Sequence, residues 1–168
     1  MSQKSTPTLY EWMGGNTQIF ETLVENFYDR AVADPLLNPL FKTMPPEHRQ
    51  RVALWFAEVF GGPKIYSGEH GGHSYMVEQH LNLSITEAQQ SRWVQLMHEA
   101  ANAVRLPDDP EFRSAFAAYV EWGTRMALMY SQPGMKAPSS QSPMPAWGWG
   151  EVRPYQPEAN SSTEDDND

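Results

Sequence analysis

Residues 16–33, NTQIFETLVENFYDRAVA, set apolar side chains at Ile19, Phe20, Leu23, Val24, Phe27, Tyr28, Ala31 and Val32. Rows at i, i+4 and i+8 are the signature of an α-helix with one broad buried face. The same period returns three times. It runs through Val52, Trp55, Phe56 and Val59, in a segment from about Pro46 to Phe60. It runs through Trp93, Leu96, Met97, Ala100, Ala101 and Val104, and again through Phe112, Phe116, Tyr119, Val120, Gly123, Met126, Ala127 and Tyr130. No segment alternates with period two, and no internal repeat is visible, so the expected fold class is all-α. Local signals support these limits. Pro46 suits a first helical turn, and Gly61-Gly62-Pro63 stops the same helix. Ser84 with Glu87, or Thr86 with Gln89, can form a capping box. Asp109 before Pro110 reads as an N-cap. Four prolines in DPLLNPLFKTMPP break the period after the first helix. That stretch is expected to be a corner of turns, with Leu36, Leu37, Leu40 and Phe41 facing inward.

From Gln132 the composition changes. The sequence divides into a helical domain, residues 1–131, and a tail, residues 132–168, rich in Pro, Ser and Gly and expected to be disordered. Trp147 and Trp149 stand out in that tail. A loose contact with the domain surface is the expected role, and docking to a partner is the alternative. The formal charge is −9, and segment 151–168 carries six acids against Arg153 alone, a net of −5. The body is therefore only mildly acidic and shows no basic stripe, which argues against a nucleic-acid partner. With no cysteine, disulfides, thiolate zinc sites, iron–sulfur clusters and covalent haem attachment are excluded. No stretch approaches the roughly 18 to 20 apolar residues of a membrane helix, and the N-terminus lacks the apolar run of a signal peptide. These features suit a cytoplasmic protein without a membrane partner.

Between Gly61 and Ser84 five glycines fall close together, and EHGGHSYMVEQH places His70, His73 and His80 in or just beyond them. The segment reads as an extended, flexible connection, of the kind that usually carries function. His70 reads as a loop histidine. A short helix over SYMVEQH puts Met76, Val77 and His80 on one face. There, an imidazole against apolar surface is either a satisfied core histidine or a metal ligand. A zinc site would need Glu69 or Glu78 to complete it, and no ligand signature supports one. The remaining helices supply an aromatic core with two polar tips inside it, the phenol of Tyr28 and the indole N–H of Trp93. Such a core can simply be packing, or it can line a pocket for a flat, largely apolar ligand.

Taken together, LYEWMGG, VENFYDRAVADPLLNPLF, FGGPKIYSGEHGGH, EQH and SRWVQLM, in this order and spacing over residues 9–131, resemble the truncated (2/2) haemoglobins of group II. Gly72-His73 stands seven residues before His80, and Trp93 follows thirteen residues after it. The resemblance implies a two-over-two helical sandwich around non-covalent haem b. It makes His80 the proximal iron ligand, Tyr28 and Trp93 distal donors to a bound gas, and Phe41 an aromatic packed on the haem face. Met76, beside His80, joins the haem contacts. Counting back along the helix puts His48 at the distal gate and Val52 one turn deeper. A histidine at that gate departs from the small residue common in the group. It can face solvent, gate the pocket, donate to the ligand or bind the iron, and a solvent-facing or gating role is expected. Arg51, Lys64, Tyr66 and His73 are candidates for the haem edge, the two cations for the propionates. HLNL after His80 departs from the usual continuation, so that wall is altered.

The resemblance implies a protein that binds dioxygen, CO and NO and, with two donors in a dry pocket, releases dioxygen slowly. A haem redox enzyme, an NO dioxygenase or a peroxidase-like protein served by a reductase, is the alternative. A haem-free helical interaction module is a third. Oligomeric state is open.

Overall fold

The computed structural model describes residues 5–154. Among the described residues eight helices follow one another: α1 Leu9–Trp12, α2 Thr17–Ala33, α3 Asn38–Phe41, α4 His48–Val59, α5 Ile65–His70, α6 Gly72–Glu78, α7 Glu87–Ala103 and α8 Pro110–Tyr130. No strand occurs among the described residues, and no helix among them is long and apolar enough to cross a membrane. Helix α2 packs against α4 and α7, and α7 against α8. This is the expected two-over-two arrangement. Its core is aromatic: Phe20, Phe27, Phe60, Phe112 and Phe116 are wholly buried, each contributing about 1.5–3 kcal/mol of transfer free energy.

Caps fix the helix ends. Asn16 accepts from Gln18 N at the start of α2. Of the two possible capping boxes before α7, Thr86 with Gln89 forms. Asp109 accepts from Phe112 N, with Pro110 in the first turn of α8. The fourth helix begins at His48 instead of Pro46, because Pro45 and Pro46 belong to the preceding turn. In the corner, Asp34 Oδ1 accepts from Leu36 N and Leu37 N, and Asp34 Oδ2 takes Arg92 Nε from α7 at 2.6 Å. Leu37 is thereby buried, but Leu36 is turned out, 40% exposed, contrary to its expected inward placement.

The largest departure lies between Gly61 and Ser84. The expected extended connection is instead two short helices, α5 and α6. Gly71 joins them at φ 104°, a left-handed conformation that favours glycine. Glu58, buried near the end of α4, accepts both Ser67 N and Ser67 Oγ at 3.0 Å. It thereby caps the first turn of α5, whose own N-cap, Lys64, supplies no side-chain bond. His80 lies two residues past α6, not within a helix.

Residues 132–154 carry no helix or strand, in keeping with their composition, yet they are tied down. Trp147 N donates to Val59 O at 2.8 Å, Trp147 Nε1 to Ala115 O at 3.0 Å and Trp149 Nε1 to Pro7 O at 2.8 Å. The tryptophans meet the domain, as expected, by directed bonds as well as surface contact. The rest of the expected tail, 155–168, lies outside the described residues.

Candidate functional site

A cavity of about 360 Å³ opens between α2, α4, α6, α7 and α8. His80 enters it from the turn after α6. Its Nδ1 stands 2.8 Å from Met76 O, a carbonyl that can only accept, so Nδ1 carries the proton and Nε2 keeps its lone pair. Met76 O is one of the end carbonyls of α6, which have no partner within the helix. The helix terminus therefore fixes the imidazole's tautomer and orientation. Burial holds His80 below the ordinary histidine range, and the bond to Met76 opposes this. The ring is neutral, the form in which imidazole binds a metal.

Tyr28, His48, Val52 and Trp93 also line the cavity. The Tyr28 hydroxyl lies 2.9 Å from His48 Nε2. The two rings meet edge to face at 5.3 Å, and Phe41 packs on Tyr28 at the same distance and in the same manner. His48 therefore turns inward and is half-buried at the cavity, so of the expected solvent-facing or gating roles the geometry favours the second. Burial, with further repulsion from the charge of Arg51, pushes His48 down to about 4. It is neutral at physiological pH. Burial likewise raises Tyr28 above the ordinary phenol value, and the charge of Arg49 opposes it. Arg49 sits 5.8 Å from the Tyr28 ring centre and pairs with Glu25 and Asp29 of α2 at 2.6 and 2.8 Å. These pairs clamp the first turn of α4 to α2 and so hold His48 over Tyr28. Trp93 rests against Phe27, ring centres 4.5 Å apart, and its indole N–H has no protein acceptor among the described residues.

At the cavity edge, Arg51 Nε and His73 Nδ1 are buried without a hydrogen-bond partner. A buried polar atom left unpaired is costly, and both side chains line the cavity where an acceptor would sit. Tyr66, fully buried, also lines the cavity and packs edge to face on Trp55 at 5.1 Å. Lys64 is exposed and stands outside the cavity lining, so of the two candidate propionate cations only Arg51 reaches the site. His70 points to Glu69, 3.9 Å away, and no group of three His, Cys, Asp or Glu able to hold a metal occurs among the described residues.

Two features escaped the sequence. Trp55 Nε1 donates to the Tyr119 hydroxyl at 2.6 Å, joining α4 to α8 at the cavity wall. Gln90, also buried at the wall, donates to Thr124 Oγ1 at 2.8 Å. Neither pair is announced by local spacing, since each spans more than thirty residues. Apolar walls, one neutral imidazole with a free nitrogen and the Arg51 cation at the rim fit haem: a flat macrocycle whose iron takes nitrogen and whose edge carries carboxylates.

The family described as bacterial-like globin matches residues 8–118. Group 2 truncated hemoglobin YjbI of Bacillus subtilis is 32% identical over 97 residues, covering 58% of this chain and 71% of that protein. Among solved structures, the hemoglobin of Chloroflexus aurantiacus superposes with a TM-score of 0.64 at 30% identity, over 73% of this chain and 98% of its own. The group II truncated hemoglobin of Bacillus anthracis superposes with a TM-score of 0.67 at 24% identity, over 78% of this chain and 98% of its own.

Proposed function

The chain belongs to the bacterial-like globin family, among its group II truncated haemoglobins, and on that premise we propose that it holds haem b through His80 and binds dioxygen, CO and NO, releasing dioxygen slowly. One observation carries the reading: His80 gives its Nδ1 proton to Met76 O and leaves Nε2 free in a cavity that Tyr28, His48 and Trp93 share. When bound, haem would supply an iron for His80 to hold and for a diatomic gas to bind. The residues do the rest. Met76 orients the imidazole. Val52, Phe41 and Trp55 keep the cavity apolar, which strengthens every hydrogen bond inside it. Trp93 supplies a donor, and Tyr28 a second whose proton His48 contests, to a gas that draws negative charge toward its outer atom. Arg51 and His73 offer their orphan nitrogens to the carboxylate edge.

Absorption spectroscopy tests this. The purified protein with haem is expected to give a Soret band that shifts when the ferrous form meets CO, and His80→Ala is expected to lose the spectrum of histidine ligation. A chain with no Soret band after haem addition overturns the reading.

The Tyr28–His48 pair also favours a second reading, haem redox chemistry. A neutral imidazole beside a phenol can accept and return a proton at Nε2, as general acid–base catalysis requires. Sustained turnover of NO with a reductase, or of peroxide with a reducing dye, separates an enzyme from a binding protein. Oxidation that stops after one equivalent refutes the enzyme.

A further inference from the structure

We propose that residues 132–154 are a working part of the haem cavity: a strap whose Trp147 holds Tyr119, and through it Trp55, against the cofactor and so sets how firmly haem is retained. The proposal rests on the haem reading above. It concerns residues that lie beyond the family match. The family match ends at residue 118, and solved relatives are covered almost end to end by less than four-fifths of this chain.

The strap touches the cavity at both ends. At its origin, Ser131 accepts Ser84 N at its carbonyl, 2.9 Å, and Ile85 N at its hydroxyl, 3.0 Å. Gln132 Nε2 then donates to Ile85 O at 2.9 Å. These bonds grip the segment that leads on from His80, and Ile85 lines the cavity. At the far end, Trp147 satisfies the end-of-helix carbonyl Val59 O with its backbone N–H and bonds Ala115 O on α8 with its indole. Its ring lies 5.6 Å from Tyr119 and 5.5 Å from Trp122. Tyr119 in turn receives the Trp55 indole at 2.6 Å, and all three of Tyr119, Trp122 and Trp55 line the cavity.

Trp147 is therefore a positioning residue, one ring behind the wall. Tyr119 is only 4% exposed, and a segment without helix or strand of its own helps to bury it. Remove the indole and Tyr119 gains room to turn outward. The Trp55 N–H then loses its partner in a buried wall, at a cost comparable to a lost hydrogen bond. Trp149 makes the contrast. It bonds Pro7 O and packs on Trp12, ring centres 5.4 Å apart, away from the cavity.

The test uses the full-length chain loaded with haem, with transfer of haem to excess apomyoglobin as the measurement. Trp147→Ala is expected to lose haem about tenfold faster than wild type, equivalent to about 1.4 kcal/mol. Trp147→Phe, which keeps a ring against Tyr119 but not the bond to Ala115 O, falls between them. Trp149→Ala stays near wild type. Soret circular dichroism, which reads aromatic rings beside the haem, is expected to change in Trp147→Ala and not in Trp149→Ala. Should Trp147→Ala fail to fold, Trp147→Leu carries the same expectation. Unaltered haem loss and an unaltered Soret dichroism, with only a lower melting temperature, overturn the proposal. A wild-type chain that takes up no haem overturns the reading beneath it instead, so the two failures are distinct.

Discussion

On the proposed reading, Trp93 is the donor whose removal would report most cleanly on gas binding. Its ring lines the cavity and packs against Phe27, while its N–H has no protein acceptor among the described residues. Trp93→Phe keeps an aromatic ring against Phe27 and deletes the donor. A neutral hydrogen bond contributes a net of about 0.5–1.5 kcal/mol, more when the acceptor carries charge. At about 1 kcal/mol the equilibrium constant changes roughly fivefold. Most such changes appear in the dissociation rate, so dioxygen is expected to leave about fivefold faster, while association changes little. Stopped-flow displacement of dioxygen by CO measures this directly. A dissociation rate within about twofold of wild type would refute the donor role. Pairing the change with Tyr28→Phe adds a check, because two donors to one ligand give non-additive effects.

Three further outcomes follow from the geometry. His48→Leu is expected to slow dioxygen release several-fold in the same assay, and faster release would contradict the hydrogen-bond assignment argued below. Tyr119→Phe leaves the Trp55 N–H unpaired in a buried wall and is expected to destabilise the protein by about 1–3 kcal/mol in denaturant titration. A free energy equal to wild type would show that the indole finds another acceptor. The Arg92 guanidinium, bonded to Asp34 Oδ2, holds the Asp34 carboxyl below its ordinary value of 3.8. Its stabilising effect is therefore present above that pH and lost as acid protonates Asp34. Asp34→Asn is expected to lower the melting temperature at pH 7, with the gap closing below about pH 4. A gap that stays constant with pH would put the effect down to packing alone.

The helices were legible because each buries one continuous stripe, and a stripe leaves a period. Their caps were legible for the same local reason: Thr86 and Gln89, or Asp109 and Pro110, sit within one turn of each other. The segment 61–84 was misread because a glycine cluster signals freedom, whereas Gly71 spends its freedom on one left-handed junction between two helices. The carboxylate that caps α5 belongs to Glu58, on another helix, so no local pattern could reveal it. Met76 O as the acceptor for His80 was hidden for a different reason. A backbone carbonyl has no sequence identity, and only its place at the end of α6 leaves it unpaired. His48 illustrates the limit of counting. The resemblance put it at the gate, and the clamp of Arg49 to Glu25 and Asp29, which no local pattern announces, holds its turn of helix against α2.

That inward turn changes what the polar side of the cavity can offer. Tyr28, His48 and Trp93 are three polar groups, but they are not three free donors. The Tyr28 hydroxyl has one proton, and His48 Nε2 lies 2.9 Å away. His48, pushed down to about 4, is neutral and carries one ring proton. A phenol is a far stronger acid than the N–H of a neutral imidazole, and imidazole nitrogen is the better base. The pair is therefore arranged with Tyr28 donating to His48, which commits the phenol proton before any gas arrives. Trp93 then holds an uncommitted proton, the ring proton of His48 sits on Nδ1, and a gas must compete with His48 Nε2 for the proton of Tyr28. Replacing His48 with an apolar side chain ends the competition and returns the proton to the ligand. On the proposed reading, a histidine in this setting would weaken the grip of Tyr28 on dioxygen and keep release from becoming slower still.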